Sequence, residues 1–572
     1  GGGASGDDIS FTATIDDDIA NDTALTLVAG SGAVSLAGDA GVTTALGAFT
    51  VSSAATADLN DVVASSIAVT ATNIDLNTDV YTSSAGITLT GTVDLDQTGG
   101  TTTITSGAAA DEDITITGTI DDASSDTTLS LSAGALGDIT LGSAVGGTNA
   151  PAAFTISNAF DASLQGVTTA ASGNILVGTD SSTRMDGTLT LNGDLKSDNG
   201  DDSAAGTISL FADDIQLSPS STPGTITLDA DGSSDGVITI ATSSSGSLSS
   251  SSAWADGITL NSGSANTVLT NAVLNSLDHL DLTAAAATLG DTTIGDGLGN
   301  GGDGLDIDVT GDLTLNGDIA MGDSSSNAGA VALDGVSGNI ILSSGGSSDA
   351  NTVTISTNDS GTDAAITIGA VEDGGSTLAL YLDAGDSDVT FSSTIGSTTP
   401  IGALTVLGND LDLSGGDVEA TGDVVLVANN PGSDDESITF SGRTIDANGG
   451  NIFLSADSIT FGTGLASTGS SGTTTVTIVG DAAASTITVN NGTGSDGNLE
   501  ISEADLATIG STFSDVIIGM SSADGTVGGE AQADQSGAIA INAADGTLNF
   551  SASNLNLRGV GSTTTITTPI DT

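Results

Sequence analysis

Short runs in which apolar and polar residues alternate recur along the whole chain. Ile114, Ile116 and Ile120 alternate with Thr115, Thr117 and Thr119, and Phe11, Ala13 and Ile15 with Thr12 and Thr14. A period of two puts successive side chains on opposite faces of a strand, so each run predicts one buried and one exposed face. Further runs stand at 87–89, 189–191, 226–228, 258–260, 313–315, 340–342, 424–427, 452–454 and 476–478. Helical periodicity is almost absent. Three phrases place apolar residues three apart: ADLNDV at 57–62, AVLNSL at 272–277 and ADLATI at 504–509. That spacing suits a single helical turn, so these predict short plugs at corners, with Ser502 or Asn271 as caps.

The runs also recur as a group. Residues 9–51 contain ISFTATIDD, LTL, VSL and GAFTV; residues 114–156 contain ITITGTIDD, LSL, ITL and AAFTI; residues 366–406 contain ITIGAV, LALYL, VTF and GALTV. The first two copies lie 105 residues apart, Ile9 to Ile114 and Phe49 to Phe154. Self-similarity of this kind marks a repeat architecture. A phrase LTLNGD, at 189–194 and 313–318, carries an Asn-Gly turn.

Two all-β architectures compete. Tandem immunoglobulin-like β-sandwiches would explain a unit near 105 residues, but they want longer strands and an aromatic residue in each core. A parallel β-helix, or β-solenoid, wants short strands and a slender aliphatic core, and it fits better. Residues 1–572 are therefore expected to form one continuous solenoid. With coils of about 21 residues the repeat is about five coils, and some 27 coils stacked at ~4.8 Å make a rod of about 130 Å. Polar stretches at 197–205, 243–252 and 467–473 are expected to protrude as loops.

Composition sharpens this picture. Aromatic residues are 2% of the chain, too few for a compact core built on large side chains. Of 73 acidic residues 66 are Asp, against four Lys and Arg, and the net charge is -69. Asp favours turns, caps and oxygen-ligand metal sites, whereas Glu favours helices. Disorder throughout does not fit the β-branched content and the positive mean hydropathy of +0.20. So negative a surface repels nucleic acid and anionic lipid. No run approaches the eighteen or so apolar residues of a membrane helix, so membrane insertion is not expected. There is no cysteine, hence no disulfide framework. The opening GGGASGDD reads as an internal point of a longer precursor.

GAFTV and GALTV, LTLNGD, GNIFLSADSITF (450–461) and ISEADLATIGSTFSDVIIG (501–519) together resemble the very long bacterial surface proteins of the filamentous haemagglutinin and autotransporter type. The resemblance spans most of the chain. It implies a right-handed parallel β-helix, secretion, and a role in adhesion or surface structure.

Metal chemistry is the main candidate. GGDGLDIDV at 301–309 resembles the calcium-binding nonapeptide of β-rolls, with Asp303, Asp306 and Asp308 as candidate ligands. Further acidic groups are Asp16 and Asp17; Asp121 and Asp122; Asp229, Asp231 and Asp235; and Asp383, Asp386 and Asp388. Stacked coils would align such turns, and like charges about 5 Å apart repel unless something lies between them. With so few basic residues, several bound calcium ions are the expected answer, and adaptation to high salt is the rival one.

No enzyme is expected. His279, the only histidine, sits in LDHL and reads as structural, and no pair of Asp residues is singled out as acid and base. Threonine runs such as 101–103 read as scattered, with no regular array. The expected function is an extracellular, cell-surface structural protein, a filament or sheath subunit that self-associates end to end. The alternative is the stalk of a secreted adhesin that meets surface polysaccharide or other cells.

Overall fold

The computed structural model describes residues 7–198, 203–221, 224–251, 256–270, 273–294, 304–322, 328–343, 351–359, 362–429, 436–468, 474–480, 485–490 and 498–519. Beyond these it describes only 526–527, 530–531, 536–541, 548–549, 554–558, 564–566 and 570–571. The chain is nearly all β and forms two compact units, one of residues 1–277 with 281–287 and one of 278–280 with 288–572. Among the described residues one helix occurs, the single turn Glu503–Leu506, and no helix is long and apolar enough to cross a membrane.

In the first unit the chain winds past three faces in turn. One face stacks Ile9, Val34, Ala57, Ile74, Val93 and Ile120, each in parallel register on the last. The next stacks Ile15, Ala40, Val62, Tyr81 and Ile104. The third stacks Leu25, Phe49, Ile67, Ile87, Ile114 and Ile139. Inward positions are filled by such aliphatic residues, and Phe49, Phe154, Ile114 and Leu129 are fully buried. The second unit repeats the plan. Leu305, Val331, Ile366, Val389, Leu411 and Ile438 make one stack; Ile319, Ile355, Leu382, Val406, Leu426 and Leu454 make another.

Parallel ladders exclude the immunoglobulin-like alternative, whose sheets are antiparallel. The only antiparallel ladder among the described residues joins Thr526–Val527 to Glu530–Ala531. The all-β, parallel, solenoid-like reading therefore stands.

Three sequence expectations need correction. The coil has no constant length. In the first unit the step between stacked partners runs from Ala57 to Ile74 in one place and from Leu195 to Leu228, almost twice as far, in another. Where the coil is short, corner loops vanish and strands run on, as in Leu46–Leu59 and Val62–Leu76. The distance between the first two copies is consequently not a whole number of coils: Ile9 lies on one face, and its counterpart Ile114 lies on another.

The phrases at 57–62 and 272–277, expected as helical plugs, fall on strands instead, Leu46–Leu59 and Val62–Leu76 for the first and Val273–Leu277 for the described part of the second. Ala57 and Leu59 obey period two and Val62 opens the next strand, with Asn60 and Asp61 as a two-residue corner. At 273–277 Ser276 adopts φ 58°, which resets the alternation so that Leu274 and Leu277 both point inward. Only the third phrase forms a helix. There Ser502 Oγ accepts the Asp505 amide at 3.0 Å and Asp505 Oδ2 accepts the Ser502 amide at 3.0 Å, a reciprocal cap. Asn271 lies outside the described residues.

Single threonines outside the runs also align. Thr88, Thr115 and Thr140 stack in register, followed by Ser163 and Thr190, although unequal lengths of chain separate each from the next. Of the three expected loops, Ser247–Ser250 is a strand with Leu248 buried. Ser197 and Ser467 are buried at the edges of the other two, whose residues 199–202 and 469–473 lie outside the described part.

Candidate functional site

Along the ladders, the amide just before an inward residue is in many coils taken by a side chain of the coil below. An aspartate serves as the acceptor. Asp113 Oδ1 accepts the amide of Asp138 at 2.9 Å, Asp138 Oδ1 that of Asp161 at 3.2 Å, and Asp161 Oδ1 that of Thr188 at 2.7 Å. The same contact joins Asp8 to Ala33, Asp194 to Thr227 and Asp214 to Ser247. In the second unit it joins Asp312 to Asn339, Asp318 to Thr354, Asp410 to Ser437, Asp417 to Thr444 and Asp423 to Asn451. Each of these aspartates immediately precedes an inward apolar residue, as Asp113 precedes Ile114 and Asp410 precedes Leu411. Asp suits this role because its carboxylate reaches one coil and no further, and a charged acceptor strengthens the bond.

The repeated phrase holds a doublet version of the clasp. Asp16 Oδ1 accepts the amides of Thr43 and Thr44 at 2.9 and 3.1 Å, and Asp121 Oδ1 those of Thr148 and Asn149 at 2.7 and 3.1 Å. In the third copy Glu372 takes the amides of Thr398 and Thr399 and the hydroxyl of Ser397. The second acid of each doublet closes its own turn. Asp17 accepts from Asp18, Asp22 and Thr23; Asp122 from Ser124 and Thr127; Asp373 from Gly375, Thr377 and Leu378. The Thr23 amide above all, joined by those of Asp22 and Asp18, holds Asp17 down at about 2 against the desolvation that would raise it. Burial works against the charge of Glu372, yet the donors of Thr399, Ser397 and Thr398 outweigh it and lower its pKa.

The other candidate ligands also meet donors. Asp235 takes the amides of Gly232 at 3.0 Å and Ser264 at 2.6 Å, and the Ser264 hydroxyl lowers its pKa. Asp229 and Asp231 both meet Asn261 Nδ2, at 3.2 and 3.4 Å; burial raises the pKa of Asp229. Asp383 is held by Asn358 Nδ2, and Asp388 by Asn409 Nδ2 and the Asp410 amide; Asp386 is exposed. Asp306 and Asp308 are exposed on the outer face of the strand Leu305–Val309, and Asp303 lies outside the described residues. Among the described residues no three acidic or imidazole side chains converge where an ion could sit. His279 is not helical; its Nδ1 lies 3.2 Å from Asp278 Oδ2.

The clasps were missed in the sequence, although their signal is there: an Asp directly before the first inward residue of a run. Asparagine does the same work uncharged, since Asn174 Oδ1 takes the Thr207 amide and Asn451 Oδ1 the Thr475 amide, both at 2.9 Å. Asp161→Asn is therefore expected to be nearly neutral and Asp161→Ala to cost about 1–2 kcal/mol in urea unfolding. Equal losses in the two variants would mean that charge, not acceptance of an amide, is the function of Asp161.

No known protein family, no curated protein and no solved structure matches the chain.

Proposed function

We propose that this chain is a structural, non-catalytic component of an extracellular filament or sheath, built as a right-handed parallel β-helix of the filamentous-haemagglutinin or autotransporter type and joined coil on coil. Its acidic turns act as clasps between coils, so this reading does not depend on bound calcium.

One comparison carries the proposal, because two copies of one phrase lie in different surroundings. In the second copy Ile114, Ile116, Ile120 and Leu129 are no more than 1% exposed, with coils on both sides. Their counterparts Ile9, Phe11, Ile15 and Leu25 are only half-buried. A row of this kind is buried by a coil laid on it in parallel, as the coil 87–105 covers it in the second copy, and coil-on-coil stacking is the contact by which copies of the chain would associate. Burial of such a row is favourable by roughly 25 cal/mol per Å² of apolar surface.

The backbone offers a specific test. Ile9 donates to Ala33 O at 2.8 Å and Phe11 O accepts from Ala37 at 2.9 Å, so both residues bond to the coil above. Alternation along a parallel strand turns the amide of Ser10 the other way, to the half-open side. Proline is tolerated where no ladder bond is lost. The wild type is expected to form end-to-end assemblies at high protein concentration, checked by electron microscopy and sedimentation, and Ser10→Pro to abolish them while leaving the melting midpoint unchanged. A wild-type chain that stays monomeric at every concentration, with or without calcium, would sink the proposal.

A further inference from the structure

Four consecutive coils of the first unit place an aspartate at the same point of one face. Asp58 pairs with Asp75, Asp75 with Asp94 and Asp94 with Asp121, in parallel register. Neighbouring members are about 4.8 Å apart along the stack. All four are half-buried. The outer two have donors: Asp58 accepts from Asn77 Nδ2 and from Ser35 Oγ, and Asp121 from the amides of Thr148 and Asn149. No hydrogen bond reaches the carboxylates of the inner two, Asp75 and Asp94, among the described residues. The charged groups that face Asp75 are Asp58, Asp94 and Asp96, and those that face Asp94 include Asp96, Asp121 and Asp122. None is basic.

Two donorless carboxylates stacked a strand apart cannot both stay ionised without strong repulsion, because one charge raises the free energy of the other. We propose that Asp75 and Asp94 share one proton in the folded first unit, forming an acid-operated latch between two coils. The proton comes from water. The protonated Asp75 carboxyl donates to a carboxylate oxygen of Asp94, and loss of that proton turns the contact into repulsion. Burial first, then the charges of Asp96, Asp58 and Asp94, push Asp75 up to about 6, and burial with Asp96 raises Asp94 as well.

The sign follows from proton linkage. An unfolded aspartate titrates near 3.9, so the folded unit binds more protons between about pH 4 and pH 6. The stability contributed by the pair is present below that window and is lost as the pH rises through it.

Thermal melts of the full chain from pH 4 to pH 8 test this, with Asp75→Asn and Asp94→Asn beside the wild type. Both variants remove a charge but keep the shape. Each is expected to melt a few degrees above the wild type at pH 7.5, with the gap closing towards pH 4. The infrared band of a protonated carboxyl in the wild type at pH 5 should weaken in Asp75→Asn. A gap that does not change with pH, or variants that melt lower at every pH, would overturn the latch. So would calcium that, added at pH 7.5, raises the wild-type midpoint and leaves Asp75→Asn unmoved, because an ion and not a proton would then hold the pair.

Discussion

Replacing Asp122 with alanine is expected to destabilise the first unit by about 3 kcal/mol, more than any other single clasp acid. Asp122 is fully buried, and its two oxygens take the amides of Ser124 at 3.1 Å and Thr127 at 2.7 Å. Thr127 is itself fully buried, so alanine leaves its amide without an acceptor and without water to replace it. The turn from 122 to 127 carries the chain from one face to the next, where Leu129 and Leu131 enter the core. Loosening it should therefore reach the neighbouring ladders. Urea unfolding followed by circular dichroism measures the loss, and exchange of the Thr127 amide localises it. A loss below about 1 kcal/mol would mean that the turn is held by packing alone.

A methyl group added at Gly146 should cost roughly 2–5 kcal/mol. Gly146 has φ 72°, and a Cβ there would lie 2.1 Å from Thr168 O, a backbone atom of the following coil. Its counterparts in the other copies, Gly41 at φ 75° and Gly396 at φ 72°, face Val63 O at 1.9 Å and Glu419 O at 2.1 Å. Gly30 supplies the control. Its φ is 64°, yet nothing lies within 4 Å of an added Cβ, so Gly30→Ala should cost only the conformational part, about 1 kcal/mol. The comparison of the two alanine variants by thermal melting separates backbone strain from contact between coils. Equal midpoints would show that the close approach relaxes freely.

Much of this fold is legible in the residues themselves. Ile114 and Ile116 alternate with threonine, and both are buried; the Asn-Gly of the LTLNGD phrase does turn the chain, between Leu191 and Leu195. What period two does not reveal is the length of a coil. Residues between strands carry no rule that makes the coil from Leu195 to Leu228 almost twice as long as that from Ala57 to Ile74. Neither the register nor the placement of the copies on different faces could therefore be read. The phrase at 57–62 misleads because a two-residue corner between strands leaves apolar residues three apart, as a helical turn does. The acidic residues were legible as a surplus but not as clasps. Their partners are backbone amides a whole coil away, such as Asp161 for Asp138 and Thr354 for Asp318, and an amide carries no signature of its own in a sequence.

The varying coil has a consequence for how the chain reaches its structure. Every described partner in the ladders of the first unit comes from the coil just before or after, and even the long step from Leu195 to Leu228 is a small part of the unit's length. Relative contact order therefore stays low however many coils are added, and no loop closure in the unit must bridge its whole length. A segment that has formed two coils holds all it needs to template a third. Growth can thus proceed from any point in the unit and keep pace with a chain that emerges gradually, its early part ordered before its last residues arrive.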